Sequence, residues 1–145
     1  PSYIAIRQQH HKCRVEATLE TKSLTTAKRA GIALLQSDEY QLRMEVSDSK
    51  AEVILSEKGI DRRIGSARVD AEEVKLNISI NNIKATAGLL IHNKEVVLAE
   101  DLDIHTLSTE VAGGFVGCTI GIYAVCEEED TFDTALFKSF SYVSM

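Results

Sequence analysis

The chain has 145 residues, 44% of them hydrophobic and 26% charged, with a net charge of −6. A chain this long buries roughly 70% of its unfolded surface and can fold around one core, so residues 1–145 read as one domain. The acidic balance disfavours nucleic acid and anionic membranes, which demand a basic patch. No apolar run approaches the roughly 20 residues that a membrane span needs.

The dominant pattern along the chain is alternation. Cys13, Val15, Ala17 and Leu19 alternate with Arg14, Glu16, Thr18 and Glu20, the two-residue period of a strand with one face on a core. Leu24–Leu35 is ambiguous. Its composition suits a helix, and Gly31 in its middle argues against one. Tyr40, Leu42, Met44 and Val46 then alternate with Gln41, Arg43, Glu45 and Ser47, and Val74, Leu76, Ile78 and Ile80 with Lys75, Asn77, Ser79 and Asn81. Short breakers separate the runs at Ser37-Asp38-Glu39, Ser47-Asp48-Ser49, Lys58-Gly59, Asn81-Asn82 and His92-Asn93. Many short strands at this spacing predict an all-β, antiparallel sandwich or jelly roll.

The segment LSTEVAGGFVGCTIGIYA, from Leu107 to Ala124, carries the most information. Gly113-Gly114 frees the backbone for positive φ, Phe115 sits at the hinge, and Cys118–Val125 alternates as a strand. An apolar ring on a double-glycine loop is either presented to a neighbouring pocket or folded back to anchor the loop on its own sheet. Phe137, Phe140 and Tyr142 crowd into the last strand, and their alternation suggests that some face the core and some the other side.

The remaining clusters point weakly to chemistry. Asp101 and Asp103 lie in a short Ala99–Asp103 connection and read as a solvated turn rather than a catalytic pair. Glu127-Glu128-Glu129-Asp130 with Asp133 could cage calcium but lacks the ligand spacing of a known loop, and a solvated hairpin tip is the better reading. His10 and His11, as neighbours on a strand, face opposite ways and cannot easily share a metal. Asn77-Ile78-Ser79 matches a glycosylation sequon, a frequent chance occurrence. Cys13, Cys118 and Cys126 fit no zinc pattern. They read as buried, reduced thiols, a usage that leans towards the cytoplasm. With no Trp, four Phe and four Tyr, the chain has few rings for a free-standing sugar platform. It opens at Pro1 rather than Met, and it reads as a piece or a processed product of a longer protein.

The string S-T-E-V-A-G-G-F-x-G-x-x-x-G-x-Y-A resembles the C-terminal concanavalin A-like β-sandwich domain of family 43 glycoside hydrolases of the β-xylosidase type. Three further landmarks follow the family's order: Arg7-Gln8-Gln9-His10 at the start, Ala30-Gly31-Ile32 with Gln36, and Ala135, Phe137, Phe140 and Tyr142 at the end. The chain departs from the family at His92-Asn93, where an aspartate-glycine turn is usual, and at Val96-Val97, where a tryptophan is usual. It departs again at Arg29 and Lys138, where acidic residues are usual. The resemblance implies a loop and then a strand at Ala30–Gln36. It also implies a non-catalytic domain that leans on a catalytic β-propeller of the same enzyme, with the catalytic carboxylates in the propeller and no cofactor here. In this reading Phe115, with Gly113 and Gly114, edges the substrate pocket, and Arg7 and Gln9 contribute to the propeller-facing surface. The implied substrates, met indirectly, are xylo- or arabino-oligosaccharides, and self-association into a homo-oligomer fits the same role. The alternative is a stand-alone carbohydrate-binding or protein-interaction sandwich.

Overall fold

The alternating runs fold as strands because pairing buries each apolar face once, against a facing sheet. A computed structural model describes residues 2–7, 12–22, 24, 28–107, 118–126 and 137–145. The strands in chain order are β1 (Ser2–Arg7), β2 (Lys12–Glu20), β3 (Lys28–Leu35), β4 (Gln41–Ser47), β5 (Lys50–Glu57), β6 (Ile60–Arg68), β7 (Glu73–Asn81), β8 (Lys84–Ile91), β9 (Lys94–Asp103), β10 (Thr119–Cys126) and β11 (Phe137–Ser144). A short 3-10 turn, His105–Leu107, follows β9. They form a six-stranded sheet, β1-β10-β3-β4-β5-β6, and a five-stranded sheet, β11-β2-β7-β8-β9. Every pairing is antiparallel. This is the expected all-β sandwich.

The core lies between the sheets. Cys13, Val15, Ala17 and Leu19 of β2 and Val74, Leu76, Ile78 and Ile80 of β7 face Ile32 and Leu34 of β3 and Leu42, Met44 and Val46 of β4, all buried. Two-residue turns close the hairpins. Asp48-Ser49, Lys58-Gly59 and His92-Asn93 each place both residues at positive φ, the twist-matched geometry for a tight hairpin. His92-Asn93 thus supplies the turn expected of it.

The ambiguous Leu24–Leu35 segment is a strand from Lys28 to Leu35, and burial on both faces explains the choice. It sits centrally between β10 and β4, where ladder hydrogen bonds and packing outweigh helix propensity. Two expectations are corrected. Asp101 and Asp103 lie within β9 rather than in a connection. Two register shifts against β8 break the alternation there, and Asp101 sits at φ 49°. Bulges of this kind belong to edge strands, which they protect from further pairing. The terminal aromatics do not divide between faces either. A bulge between Phe137 and Ser139 resets the register, so Phe137, Phe140 and Tyr142 all stand opposite the core residues Leu19, Ala17 and Val15. All three pack against the core.

Candidate functional site

The stem of the glycine-phenylalanine loop is built from buried anchors. Ile104 N donates to Ile83 O at 2.8 Å, Leu107 N to Ile104 O at 3.0 Å, and Thr106 Oγ1 to Glu57 Oε2 at 2.8 Å. Asp103 Oδ1 caps the turn, accepting from His105 N at 2.9 Å and standing 2.8 Å from His105 Nδ1. These contacts hold the Asp103 carboxyl below the usual range, so its role is to cap the turn. On the returning side, Cys118 Sγ reaches Leu107 O at 3.4 Å, and Leu107 and Cys118 are both fully buried. Burial pushes the Cys118 thiol up to about 11, so it is a packing group rather than a nucleophile. Gly113, Gly114 and Phe115 belong to residues 108–117, outside the described residues, but the two points from which that segment leaves and returns are fixed.

Arg7 ends β1 in register with Thr119, the first residue of β10 after that segment. Its side chain and Gln9 lie outside the described residues, as do His10, His11 and the Glu127–Asp130 run with Asp133. Among the described residues no group of three or more His, Cys, Asp or Glu is placed to hold a metal. Asn77 of the sequon is buried in the middle of β7, out of reach of a glycosylating enzyme on the folded chain. Cys13 and Cys118 are buried and in no disulfide, as expected, and the Cys126 side chain lies outside the described residues.

Sequence reasoning missed a cluster on the outer face of the six-stranded sheet. Alternation places Tyr123 on that face, yet it is only 8% exposed. The register explains this. Tyr123 stands opposite Gly31, and Gly31 opposite Glu45. With no side chain on Gly31, the ring crosses β3, and its hydroxyl donates to Glu45 Oε2 at 2.6 Å. Arg29 Nε and Arg43 Nε each lie 3.7 Å from the same oxygen, and Arg43 Nη2 binds Asp61 Oδ2 at 2.7 Å. Burial, reinforced by the Glu45 charge, holds the Tyr123 phenol well above its ordinary range. Burial works against the Arg43 charge, but Asp61 and Glu45 outweigh it and its pKa is raised.

Tyr3 repeats the device one strand over. It pairs with Tyr123, and its hydroxyl donates to Ala33 O at 3.3 Å and shares a hydrogen bond with Thr119 Oγ1 at 3.2 Å. That reach carries the ring across Gly121, which stands opposite Ala33. Two tyrosines therefore lie over two glycines, with a hollow of about 270 Å³ lined by Tyr3, Ala33, Leu35, Gln41, Arg43 and Tyr123 among others. The available signal was a glycine in each of two apolar strands with a tyrosine two residues after one of them, Gly31 and Gly121-Ile122-Tyr123.

Two antiparallel sheets around one apolar layer, with this loop stem at one end, define a concanavalin A-like β-sandwich. Residues 1–143 match the family model described as the β-xylosidase C-terminal concanavalin A-like domain of glycoside hydrolase family 43, and the chain belongs to that family. It is 30% identical over 128 residues to a xylosidase/arabinosidase of Butyrivibrio fibrisolvens, covering 86% of this chain and 25% of that protein. Among solved structures, a family 43 protein of Bacillus licheniformis superposes with a TM-score of 0.81 at 20% identity, over 99% of this chain and 30% of that one. Xylan β-1,4-xylosidase of Bacillus halodurans gives 0.80 at 19% identity, again over 99% and 30%. Sheep galectin-11, at 0.58 and 9% identity over 99% of this chain and 97% of its own, shares the sandwich fold alone. The chain thus spans about a quarter to a third of the length of its family 43 relatives.

Proposed function

We propose that this chain is the non-catalytic C-terminal domain of a xylosidase- or arabinofuranosidase-type glycoside hydrolase. In this reading it packs on a catalytic β-propeller and edges the propeller's active site with Gly113-Gly114-Phe115. The family match over residues 1–143, in a chain that spans only a fraction of its relatives, carries the reading. Glycoside hydrolysis uses two carboxyl groups about 5–9.5 Å apart across the scissile bond. Both are assigned to the propeller, which removes a terminal xylose or arabinose from short oligosaccharides. The part left to this chain is shape. A loop with a buried stem keeps its base in place while its apolar tip excludes water and shortens the pocket.

Replacing Phe115 by Ala in the full-length enzyme tests this. Loss of one packed ring is worth up to about 1.5 kcal/mol, so kcat/KM on a disaccharide falls about tenfold and the preference for short substrates weakens. Unchanged activity together with unchanged chain-length preference refutes the lid. Calorimetry of the 145-residue chain with xylo-oligosaccharides tests the remaining reading, since saturable binding would make it a sugar-recognition module in its own right.

A further inference from the structure

The two outer faces of the sandwich differ in how ready they are to be covered. On the five-stranded sheet the charges are paired, Arg14 and Lys75 with Glu16 and Lys138 with Glu73, but the cations of these pairs stand in solvent: Arg14 is 41% exposed, Lys75 42% and Lys138 52%. On β3 and β4 of the six-stranded sheet Arg29 is 30% exposed, Arg43 18% and Glu45 12%, whereas β5 and β6 carry exposed cations such as Lys50 at 43% and Arg63 at 60%. Glu45 receives Tyr123, Arg29 and Arg43, and Arg43 also holds Asp61. Pairs that their own face already holds largely out of water lose less hydration on being covered than exposed pairs do. Arg29, Asp38, Gln41 and Glu45 share the lining of the hollow with its apolar residues, and the tyrosines and arginines in it are types enriched at interface cores.

Chain geometry selects the same face. β1 is an edge strand whose start, Ser2, pairs with Ala124 and whose end, Arg7, pairs with Thr119 beside the loop stem. The inference rests on the proposed function, in which a catalytic domain precedes residue 1 and receives the 108–117 loop. Such a domain meets this chain at both ends of β1, about 17 Å apart at the rise of a strand. The hollow lies alongside that strand, from Leu35 and Gln41 at the loop end to Tyr123 near the entry.

We propose that the outer face of the six-stranded sheet, over β1, β10, β3 and β4, is the seat of the catalytic domain, and that an apolar side chain of that domain fills the hollow between Tyr3, Ala33 and Leu35. The Tyr123–Glu45–Arg43 cluster is then the fixed floor of the joint.

Hydroxyl-radical footprinting of the full-length enzyme, with its urea-unfolded form as reference, reads both faces in one experiment. Tyr3, Leu35 and Val125 report on the six-stranded face, and Val97 and Val143, 49% and 55% exposed, on the five-stranded one. Tyr3, Leu35 and Val125 are already half-buried within this chain, so each rate is first scaled to the residue's own exposure here, and the expected result is oxidation of that set slowed about fivefold or more beyond this scaling, relative to Val97 and Val143. Protection of Val97 and Val143 with Tyr3, Leu35 and Val125 reactive overturns the choice of face and leaves the proposed function standing. Reactivity of both sets overturns the seat and, with it, the packing role in the proposed function.

Discussion

Gly31→Ala is a one-methyl change whose effect follows from geometry. A Cβ at position 31 would lie 1.9 Å from Met44 O and 2.8 Å from Glu45 Cα, both backbone atoms of the neighbouring strand. A flexible side chain could swing aside, but a ladder partner in a central strand cannot. The substitution gains about 0.4–1 kcal/mol by restricting the unfolded chain, against roughly 1–3 kcal/mol or more for forcing strands apart in a packed sheet. Displacement of the Tyr123 ring from Glu45 adds to the loss. The net expectation is destabilisation of about 2 kcal/mol, or roughly 4–8 °C in Tm for a chain of this size. Gly59→Ala is the comparison. Gly59 sits at φ +77° with nothing within 4 Å of an added Cβ, so backbone strain alone applies, about 1 kcal/mol. Urea unfolding followed by circular dichroism ranks the two. A Gly31→Ala protein as stable as the parent, or more stable than Gly59→Ala, refutes the close-approach argument.

Two further outcomes are expected. Hydrogen bonds from Arg43 and Ser56 depress the Asp61 carboxyl, outweighing its slight burial. Its contribution is therefore present above the ordinary carboxylate pKa and lost as the pH falls below about 4. The urea midpoints of wild type and Asp61→Asn should differ at about pH 6 and converge towards about pH 3, and an unchanged gap would contradict the assignment. Cys118, with its pKa moved from 9.0 to about 11, should carry about a hundredfold less thiolate at pH 8 than an ordinary cysteine. Iodoacetamide labelling read by mass spectrometry should leave it unmodified until the protein unfolds, and rapid labelling of the native chain would show that the loop stem is open.

What the sequence disclosed, and what it hid, follow from where neighbours come from. The strands β2, β4 and β7 are plain in the linear pattern because in each a core-facing apolar residue alternates with a polar one on the outer face. β6 is not, since it is an edge strand with exposure along most of its length and no clean apolar face. β9 hides its strand character behind two bulges, which shift an apolar residue to the wrong parity at each step. The terminal aromatics mislead for the same reason, through one bulge at β11. Alternation assigns Tyr123 to a polar face correctly, but its burial depends on Glu45, 78 residues away, meeting it across a glycine. Register is a property of pairs of strands, and a single linear pattern does not carry it. The glycine-phenylalanine string stands out by its composition, whereas the contacts that root it, from Ile83, Glu57 and Cys118, come from three separate strands and turns.

The rooted stem also bears on how such a domain can diversify. Leu107 and Cys118 enter and leave the 108–117 segment from one buried point, so that segment can change in length or sequence without moving any strand. Each doubling of its length costs only about 0.6 kcal/mol of closure entropy. The sandwich is in this sense a socket that accepts interchangeable tips, and variation in this one segment could retune a neighbouring pocket while every core residue stays in place.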